Sequence, residues 1–83
     1  MNKAEIYQQL DAVFKTVFGR NIALNDETTA KDIPGWNSIT HAKLLILIED
    51  KFQIRFSLTE IIKVQNIGEL VSLVASKLAA QKI

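Results

Sequence analysis

Ser38 is the residue of this chain whose type and position best suit chemistry. It follows Gly35-Trp36-Asn37, in which the glycine predicts a turn and the amide residue can cap a helix. A long apolar run begins directly after Ser38, so the pattern predicts a helix that starts at Asn37 or Ser38 and ends near Phe52. A hydroxyl at a helix N-terminus beside an apolar surface indicates a modification site with a docking face.

Two other side chains near Ser38 invite a chemical interpretation. His41 lies one helical turn further on, which makes a Ser-His nucleophilic pair geometrically conceivable. No spacing suggests a third, orienting group, however, and no strand-turn-helix elbow is predicted. A solvated or partner-contacting histidine is the simpler interpretation. Trp36 could stack on a ligand, but a single tryptophan beside a glycine turn is more often a loop anchor that packs on the core.

The carboxylates do not indicate acid-base catalysis. We expect Asp26, Glu27 and Asp32 to be solvated loop charges, and Glu49 with Asp50 to form a polar helix edge. No concave site is evident that would shift their pKa values. With one histidine and no cysteine, the chain also lacks the ligands of a typical metal site. We therefore expect neither a metal site nor an enzyme.

Size and composition narrow the possible classes further. The 83 residues are 48% hydrophobic and 23% charged, which predicts one small folded domain over residues 1–83, with little room for a deep cleft. The net charge is +1 and the basic residues are scattered, so we expect no nucleic-acid partner. The N-terminus does not resemble a signal peptide, and no apolar run is long enough to span a membrane. We expect a cytoplasmic monomer.

The predicted secondary structure is entirely helical. Apolar residues at spacings of three and four predict a first helix over residues 2–18, which Gly19 ends. Residues 20–37 have no sustained period and form a long loop. Four of its side chains are expected to pin it to the core: Ile22, Leu24, Ile33 and Trp36.

Two further helices follow the one at Ser38. Residues 53–57 read as an extended connection, and Ser57 with Glu60 has the spacing of a capping box that starts a short helix through Ile62 or Lys63. Asn66 and the residues after it repeat this spacing before a final amphipathic helix. The fold class is therefore all-α: a four-helix bundle with a long loop between helices 1 and 2 and a short third helix. The predicted core or lining residues are Ile6, Phe14, Leu44, Ile48, Phe52, Ile62, Leu70 and Val74.

The helix from Ser38 is apolar on two sides. At 100° per residue, Leu44, Leu45, Leu47, Ile48 and Phe52 share one broad arc, which can face the core. Ile39, Ala42 and Ile46 gather on the opposite side and form what we call the apolar stripe. An exposed apolar stripe usually marks an interaction site. Alternatively, the long loop or the third helix covers the stripe and makes it part of the core.

These features resemble the acyl carrier protein family, small four-helix domains with an Asp-Ser-Leu triplet at the start of helix 2. Here the triplet reads Asn37-Ser38-Ile39, and Glu49 and Phe52 occupy the positions of the family's Leu-Glu-x-x-Phe pattern. The likeness covers nearly the whole chain. The tryptophan before the triplet and the Thr-His after it look most like specialised bacterial carriers in secondary-metabolite or surface-glycan pathways.

The resemblance implies a carrier, not an enzyme. A phosphopantetheinyl transferase would attach 4′-phosphopantetheine from coenzyme A to Ser38 through a phosphodiester, which the positive end of the helix dipole favours by about 0.3 to 1 kcal/mol. The thiol of this arm would hold an acyl group as a thioester, as in fatty acid or polyketide biosynthesis. Acyl-loading and acyl-using enzymes would be the partners.

Two departures from the family pattern affect the expected partners. Asn37 replaces the family's aspartate, so it keeps the capping ability but loses a carboxylate near the transferase's magnesium. Modification is therefore expected to be slower or to need a dedicated transferase. Lys43 and Lys51 stand on a helix that is acidic in fatty-acid carriers, so we expect a specialised partner. The predicted partner-binding residues are the apolar stripe Ile39, Ala42 and Ile46, with Lys43 at its rim.

Other functions remain open at this stage. The main alternative is a non-modified helical interaction module, in which Ser38 is only a cap and the stripe Ile39, Ala42 and Ile46 binds a partner helix. A helix-turn-helix DNA-binding domain is more distant, because the basic residues are dispersed and the loop before helix 2 is too long for that motif.

Overall fold

The computed structural model describes residues 2–80, and within them the chain is helical without strands. This confirms the all-α prediction, including the long connection between the first two helices and the short third helix. A 3-10 turn at Ala30–Asp32, which was not predicted, lies in that connection. The α-helices, in chain order, are α1 (Lys3–Phe18), α2 (Ser38–Phe52), α3 (Leu58–Lys63) and α4 (Ile67–Ala80).

Side-chain caps fix the starts of α1, α3 and α4. The Asn2 side chain accepts a hydrogen bond from the Glu5 backbone N at 2.9 Å, and the Glu5 carboxylate accepts one from the Asn2 backbone N at 3.0 Å. Ser57 and Glu60 form the same reciprocal pair at α3. The Asn66 side chain accepts from the backbone amide three residues on, at 2.8 Å. The predicted capping box at Ser57 is therefore confirmed.

The core lies between α1, α2 and α4, with α1 packed directly against both other helices. Seven of the eight predicted core residues are buried, but Ile62 is 70% exposed and that prediction is wrong. Helix α3 has only six residues, and Leu58, four positions before Ile62 on the same side, is 74% exposed as well. Val64, just after the helix, makes the core contact instead.

The long first loop is attached to the core as predicted. Ile33 is buried, and Ile22, Leu24 and Trp36 pack against the core while partly exposed. Residues 54–57 are neither helix nor strand and Ile54 is buried, but Gln53 ends α2 in the left-handed conformation with a φ of 56°, so the prediction of an extended connection is wrong at Gln53. The connections on either side of α2 are therefore fixed by burial of apolar side chains, which holds the N-terminus of α2 in place.

Loop carbonyls complete the start of α4. The Ile67 backbone N donates to the Thr28 carbonyl at 2.9 Å, and the Gly68 backbone N donates to the Asp26 carbonyl at 2.9 Å. The Asp26 carboxylate also accepts from Lys3 Nζ at 2.6 Å and from the Tyr7 hydroxyl. Asp26 is exposed, as expected of a solvated loop charge, and in addition it ties the loop to α1 and α4.

We expect the substitution Gly68→Ala to destabilise the fold. A Cβ at this position would lie 2.9 Å from the Asp26 carbonyl oxygen, so the backbone would have to shift. Overpacking costs about 1 to 3 kcal/mol and alanine recovers about 1 kcal/mol of helix propensity, so we expect a net loss of up to about 2 kcal/mol. Chemical denaturation measures this change. The control Ser72→Ala, at an exposed site on α4, should change stability by less than about 0.5 kcal/mol. Equal stabilities of the two variants would show that a Cβ at position 68 does not strain the contact with Asp26.

The Tyr7 hydroxyl should lose its proton at an unusually high pH. Burial, together with the hydrogen bond to Asp26 and the charges of Asp26 and Asp11, raises the pKa of Tyr7 to about 12. Because the folded-state pKa exceeds the unfolded value of 10.0, the stabilisation is fully present below pH 10 and is lost as the pH rises through 12. Phenolate absorbance reports this directly, since Tyr7 is the single tyrosine. Asp26→Asn should lower the pKa of Tyr7 only part of the way towards 10, because the burial remains. Titration of Tyr7 near pH 10 in the folded wild-type chain would contradict the raised pKa.

Candidate functional site

Ser38 is the first residue of α2, but it is not the residue that caps the helix. The N-cap is Asn37, whose side-chain oxygen accepts from the Ile39 backbone N at 2.9 Å and from the Thr40 backbone N at 3.1 Å. Ser38 is exposed, and its hydroxyl takes part in none of the hydrogen bonds found among residues 2–80. The fold therefore leaves this hydroxyl available.

Thr40 locks the turn before Ser38 onto the first turn of α2. Its hydroxyl oxygen accepts from the Asn37 backbone N at 2.7 Å and the hydroxyl donates to the Gly35 carbonyl at 2.9 Å. This role of Thr40 was not predicted from the sequence. The signal was present, because Asn37 and Thr40 have the spacing of a capping box, with threonine in place of the usual glutamate or glutamine. The position of Ser38 is consequently set by contacts on both sides of it.

Trp36 anchors the loop immediately before the site, as predicted. Its ring meets Phe14 edge-on with centroids 5.5 Å apart, and lies 6.3 Å from the ring of Phe18. Its Nε1 donates a hydrogen bond of 3.1 Å to His41 Nδ1, and the two rings stack at 5.9 Å. Trp36 thus connects the core below it to the first turn of α2.

The position of His41 differs from the expectation. It is partly buried and accepts a hydrogen bond from Trp36, so it is not simply a solvated side chain, and contact with a partner stays a prediction. A neutral imidazole has one acceptor nitrogen, and here the Trp36 N–H occupies it. His41 therefore has no acceptor left for the hydroxyl proton of Ser38, which argues against a Ser-His nucleophilic pair.

The surroundings of Ser38 suit an anionic group on its oxygen. The hydroxyl stands at the positive end of the α2 dipole, and the first turn of α2 contains no acidic residue. The amides of Ile39 and Thr40 already donate to Asn37. A phosphate on Ser38 would therefore be stabilised by the helix dipole, but it would not accept hydrogen bonds from these two amides.

The apolar stripe on α2 is uncovered. Ile39 is 68% exposed and Ile46 63% exposed, and Ala42 and Lys43 are exposed as well. Neither the long loop nor α3 covers them, so the alternative in which the stripe belongs to the core is wrong. The opposite arc of the helix is buried, as expected, at Leu44, Leu45, Ile48 and Phe52.

Glu49 has a role that the sequence analysis missed. Its carboxylate accepts from the Phe56 backbone N at 2.8 Å, and its carbonyl accepts from the Ile54 backbone N at 3.1 Å. It therefore organises the connection from α2 to α3 and is more than a polar helix edge. Its place in the family pattern did not indicate this role, because its partner is a backbone amide seven residues on.

An apolar cavity of about 70 Å³ lies on the inner side of α2. Its lining comes from the long first loop, including its 3-10 turn, from α2, from the α3-α4 connection and from α4. The lining residues are Ala30, Trp36, His41, Leu44, Leu45, Ile48, Val64, Gln65, Asn66 and Leu70.

Metal and membrane sites find no support in the described part of the chain. Between residues 2 and 80, no three histidine, cysteine, aspartate or glutamate side chains are grouped so that they could hold a metal ion. None of the helices over the same range combines the length and the apolar character needed to cross a membrane.

Comparison with known proteins identifies the family. Residues 8–74 match the family described as the phosphopantetheine attachment site. The holo acyl carrier protein of Geobacter metallireducens, solved by solution NMR, is 39% identical, with 89% of this chain and 86% of that chain covered and a TM-score of 0.84. The crystal structure of the acyl carrier protein of Thermotoga maritima is 25% identical over 96% of this chain and 94% of that chain, also with a TM-score of 0.84.

A search of curated protein sequences gave no significant match. The family match nevertheless spans most of the chain, from residue 8 to residue 74. The chain therefore belongs to the acyl carrier protein family, whose members are carriers rather than enzymes, interact with enzymes and bear a covalently attached 4′-phosphopantetheine.

Proposed function

We propose that residues 1–83 act as one carrier domain that holds acyl intermediates as thioesters on a 4′-phosphopantetheine arm at Ser38 and presents them to enzymes of a specialised biosynthetic pathway. The observation that carries this proposal is the free hydroxyl of Ser38 at the start of α2. Because Asn37 caps the helix and Thr40 fixes the turn, Ser38 can be modified without loss of a structural hydrogen bond.

The loading step uses the Ser38 oxygen as the nucleophile. That oxygen forms a bond to the phosphorus of coenzyme A that bears the pantetheine, the bond to the other phosphate breaks, adenosine bisphosphate leaves, and a base of the transferase takes the hydroxyl proton. Bound at Ser38, the arm supplies a thiol that forms the thioester. The residues of this chain position the oxygen and place it at the positive end of the helix dipole.

Asn37 is expected to make loading selective for the transferase. Its side-chain oxygen is engaged by two backbone amides, and the remaining side-chain atom is an NH₂ group, which cannot bind magnesium. An aspartate there would cap with one oxygen and leave a second, charged oxygen for the metal. We propose that a phosphopantetheinyl transferase adapted to Asn37 loads this chain.

The partner surface that we propose comprises the apolar stripe Ile39, Ala42 and Ile46, with Lys43 at its rim. The stripe is exposed beside Ser38, and Lys43 is not in an ion pair among the described residues. A partner with an apolar patch and acidic groups around it would match this surface. Enzymes that recognise acidic carriers through basic patches would be repelled by Lys43.

The setting of this function is also a proposal. We propose a cytoplasmic, monomeric, bacterial carrier without nucleic-acid or membrane partners. Both similar carriers named above come from bacteria, and the basic residues form no stripe along the sequence. The partners are a transferase and the acyl-loading and acyl-using enzymes of one pathway.

Intact-protein mass spectrometry tests the proposal. The apo protein is incubated with coenzyme A, magnesium and a broad-specificity transferase, in parallel with the Asn37→Asp variant. We expect both proteins to gain one phosphopantetheine, the variant faster. A gain by the variant alone would support the carrier function and assign the selectivity to Asn37. If neither protein is modified, the carrier proposal fails.

The second candidate function is a non-modified interaction module. The observation that favours it is the exposure of Ile39 and Ile46, which docking of a partner helix requires. It predicts a binding partner but no covalent arm. The mass measurement separates the two functions, since only the carrier gains mass.

A further inference from the structure

A turn with a glycine at its centre lies just before Ser38. The Trp36 backbone N donates to the Ile33 carbonyl at 3.3 Å, and Gly35 has a φ of +89°. Proline at the second position and a positive φ at the third make residues 33–36 a type II turn. Glycine has more backbone freedom than any other residue, so the path of the chain towards Ser38 depends on what fixes Gly35.

Two side chains fix the peptides on either side of Gly35. The carbonyl of the preceding peptide, which belongs to Pro34, accepts from Arg20 Nη2 at 2.7 Å. The carbonyl of the following peptide, which belongs to Gly35 itself, accepts from the Thr40 hydroxyl at 2.9 Å. Because peptide units are planar, the orientations of these two units determine the φ and ψ of Gly35. Within residues 2–80, the bond from Arg20 is the only hydrogen bond to the preceding peptide.

Arg20 is itself held close to the core. It directly follows Gly19, the residue that ends α1, and its guanidinium carbon lies 5.7 Å from the centroid of the Phe18 ring. A cation near the face of an aromatic ring is attracted to it. The Phe18 ring lies 5.8 Å from the ring of Phe14, which is fully buried. The guanidinium therefore connects the exposed turn to the end of α1.

Movement of the turn would reach the first turn of α2 through Thr40. The Thr40 hydroxyl donates to the Gly35 carbonyl, and its oxygen accepts from the Asn37 backbone N at 2.7 Å. Asn37 caps the helix and directly precedes Ser38. The series of contacts thus runs from Arg20 through the turn to the residue that bears the hydroxyl.

We infer that Arg20 is a positioning residue for the loading of Ser38, an inference that rests on the proposed function. By holding the Pro34 carbonyl, Arg20 restricts Gly35 to one conformation and so limits the directions in which the Ser38 oxygen meets the phosphorus of coenzyme A. A bound nucleophile that is out of line reacts slowly. The exposed stripe on α2 does not include this turn, so Arg20 affects the rate of transfer and not the binding of the transferase.

Loading kinetics of two matched variants test the inference. Arg20→Met keeps a long side chain beside Phe18 but removes the donor, whereas Arg20→Lys keeps a donor and the charge. We expect Arg20→Met to lower kcat for loading about three- to tenfold with an unchanged KM, the effect of one ordinary hydrogen bond. Arg20→Lys should stay within about twofold of wild type. Lys31→Met, which removes another exposed positive charge from the same loop, controls for charge and should load like wild type.

NMR relaxation of the same variants does not depend on loading. The order parameter of the Gly35 backbone N–H should fall in Arg20→Met, because the peptide that contains this N–H loses its hydrogen bond. It should keep the wild-type value in Arg20→Lys and in Lys31→Met. Chemical denaturation of each preparation confirms that the variants are folded.

Each alternative has its own result. Wild-type kcat in Arg20→Met, or an unchanged order parameter at Gly35, would overturn the inference. A raised KM with an unchanged kcat would also overturn it, because Arg20 would then be a contact of the transferase. An equal loss of kcat in Lys31→Met would assign the effect to charge. Absence of loading in the wild-type chain would instead refute the proposed function, and the order parameter would still show whether Arg20 holds the turn.

Discussion

The substitution Ser38→Ala should abolish loading and leave the stability of the fold unchanged. The Ser38 hydroxyl makes no hydrogen bond within residues 2–80, and Asn37 carries the capping interactions. Alanine is also the most favourable residue in a helix. We therefore expect a change of less than about 0.5 kcal/mol in the free energy of unfolding. Mass spectrometry after transferase treatment should show no added arm, and chemical denaturation should give the wild-type midpoint.

The substitution Ser57→Ala is the matched control. Ser57 is also a serine at a helix start, but it is a true N-cap, whose hydroxyl accepts from the Glu60 backbone N at 3.2 Å. We expect a loss of about 1 kcal/mol of stability with normal loading. This is the reverse of the pattern for Ser38→Ala. Loading of the Ser38→Ala variant would place the arm elsewhere, and a large loss of its stability would show that the serine is mainly structural.

The contrast between the two serines shows what the sequence could not decide at the site. Asn37 and Ser38 are both good N-cap residues, so the sequence alone does not decide which of the two caps α2. The choice depends on Thr40, which closes the box on Asn37 and binds the Gly35 carbonyl. The pairing of Trp36 with His41 was likewise beyond prediction, because it depends on how the loop crosses Phe14 and Phe18.

Most of the fold was predictable, because it follows from local periodicity. The apolar spacing in α1 and the cap at Ser57 determine where those helices lie. Ile62 was misassigned because a helix of six residues is too short for a period to identify its inner face. The bonds of Asp26 were not predicted because its partners, Lys3 and Tyr7, are distant in sequence and come close to it only after the loop folds back on α1.

The exposed face of α2 is set by the same periodicity, and Ile46 is its most informative position. Ile46 is 63% exposed on the turn between Lys43 and Asp50, and its side chain is not part of the core. An apolar side chain at the centre of a docking surface typically accounts for a large share of the binding energy. A substitution at Ile46 is therefore expected to change partner binding without changing the stability of the fold.

We expect Ile46→Glu to lower kcat/KM for the transferase that loads the wild-type chain by about tenfold or more, which corresponds to about 1.4 kcal/mol. The free energy of unfolding should change by less than about 0.5 kcal/mol, since the site is exposed and glutamate is a good helix former. Stopped assays of arm transfer at several carrier concentrations, with denaturation of the same preparations, measure both quantities.

Two further variants on α2 serve as controls for Ile46→Glu. Lys51→Glu places a new acid at an exposed site on the same helix but outside the stripe, and should leave kcat/KM for loading within about twofold, as surface changes away from a contact do. Ile48→Ala, at a fully buried site, should cost about 2 to 5 kcal/mol of stability. Equal kcat/KM values for the loading of Ile46→Glu and Lys51→Glu would show that the transferase does not contact the stripe. A loss of stability in Ile46→Glu comparable to that of Ile48→Ala would place Ile46 in the core. The docking surface predicts that Ile46→Glu loses loading and keeps an intact fold. An exposed isoleucine can affect loading without affecting folding only through contact with a partner.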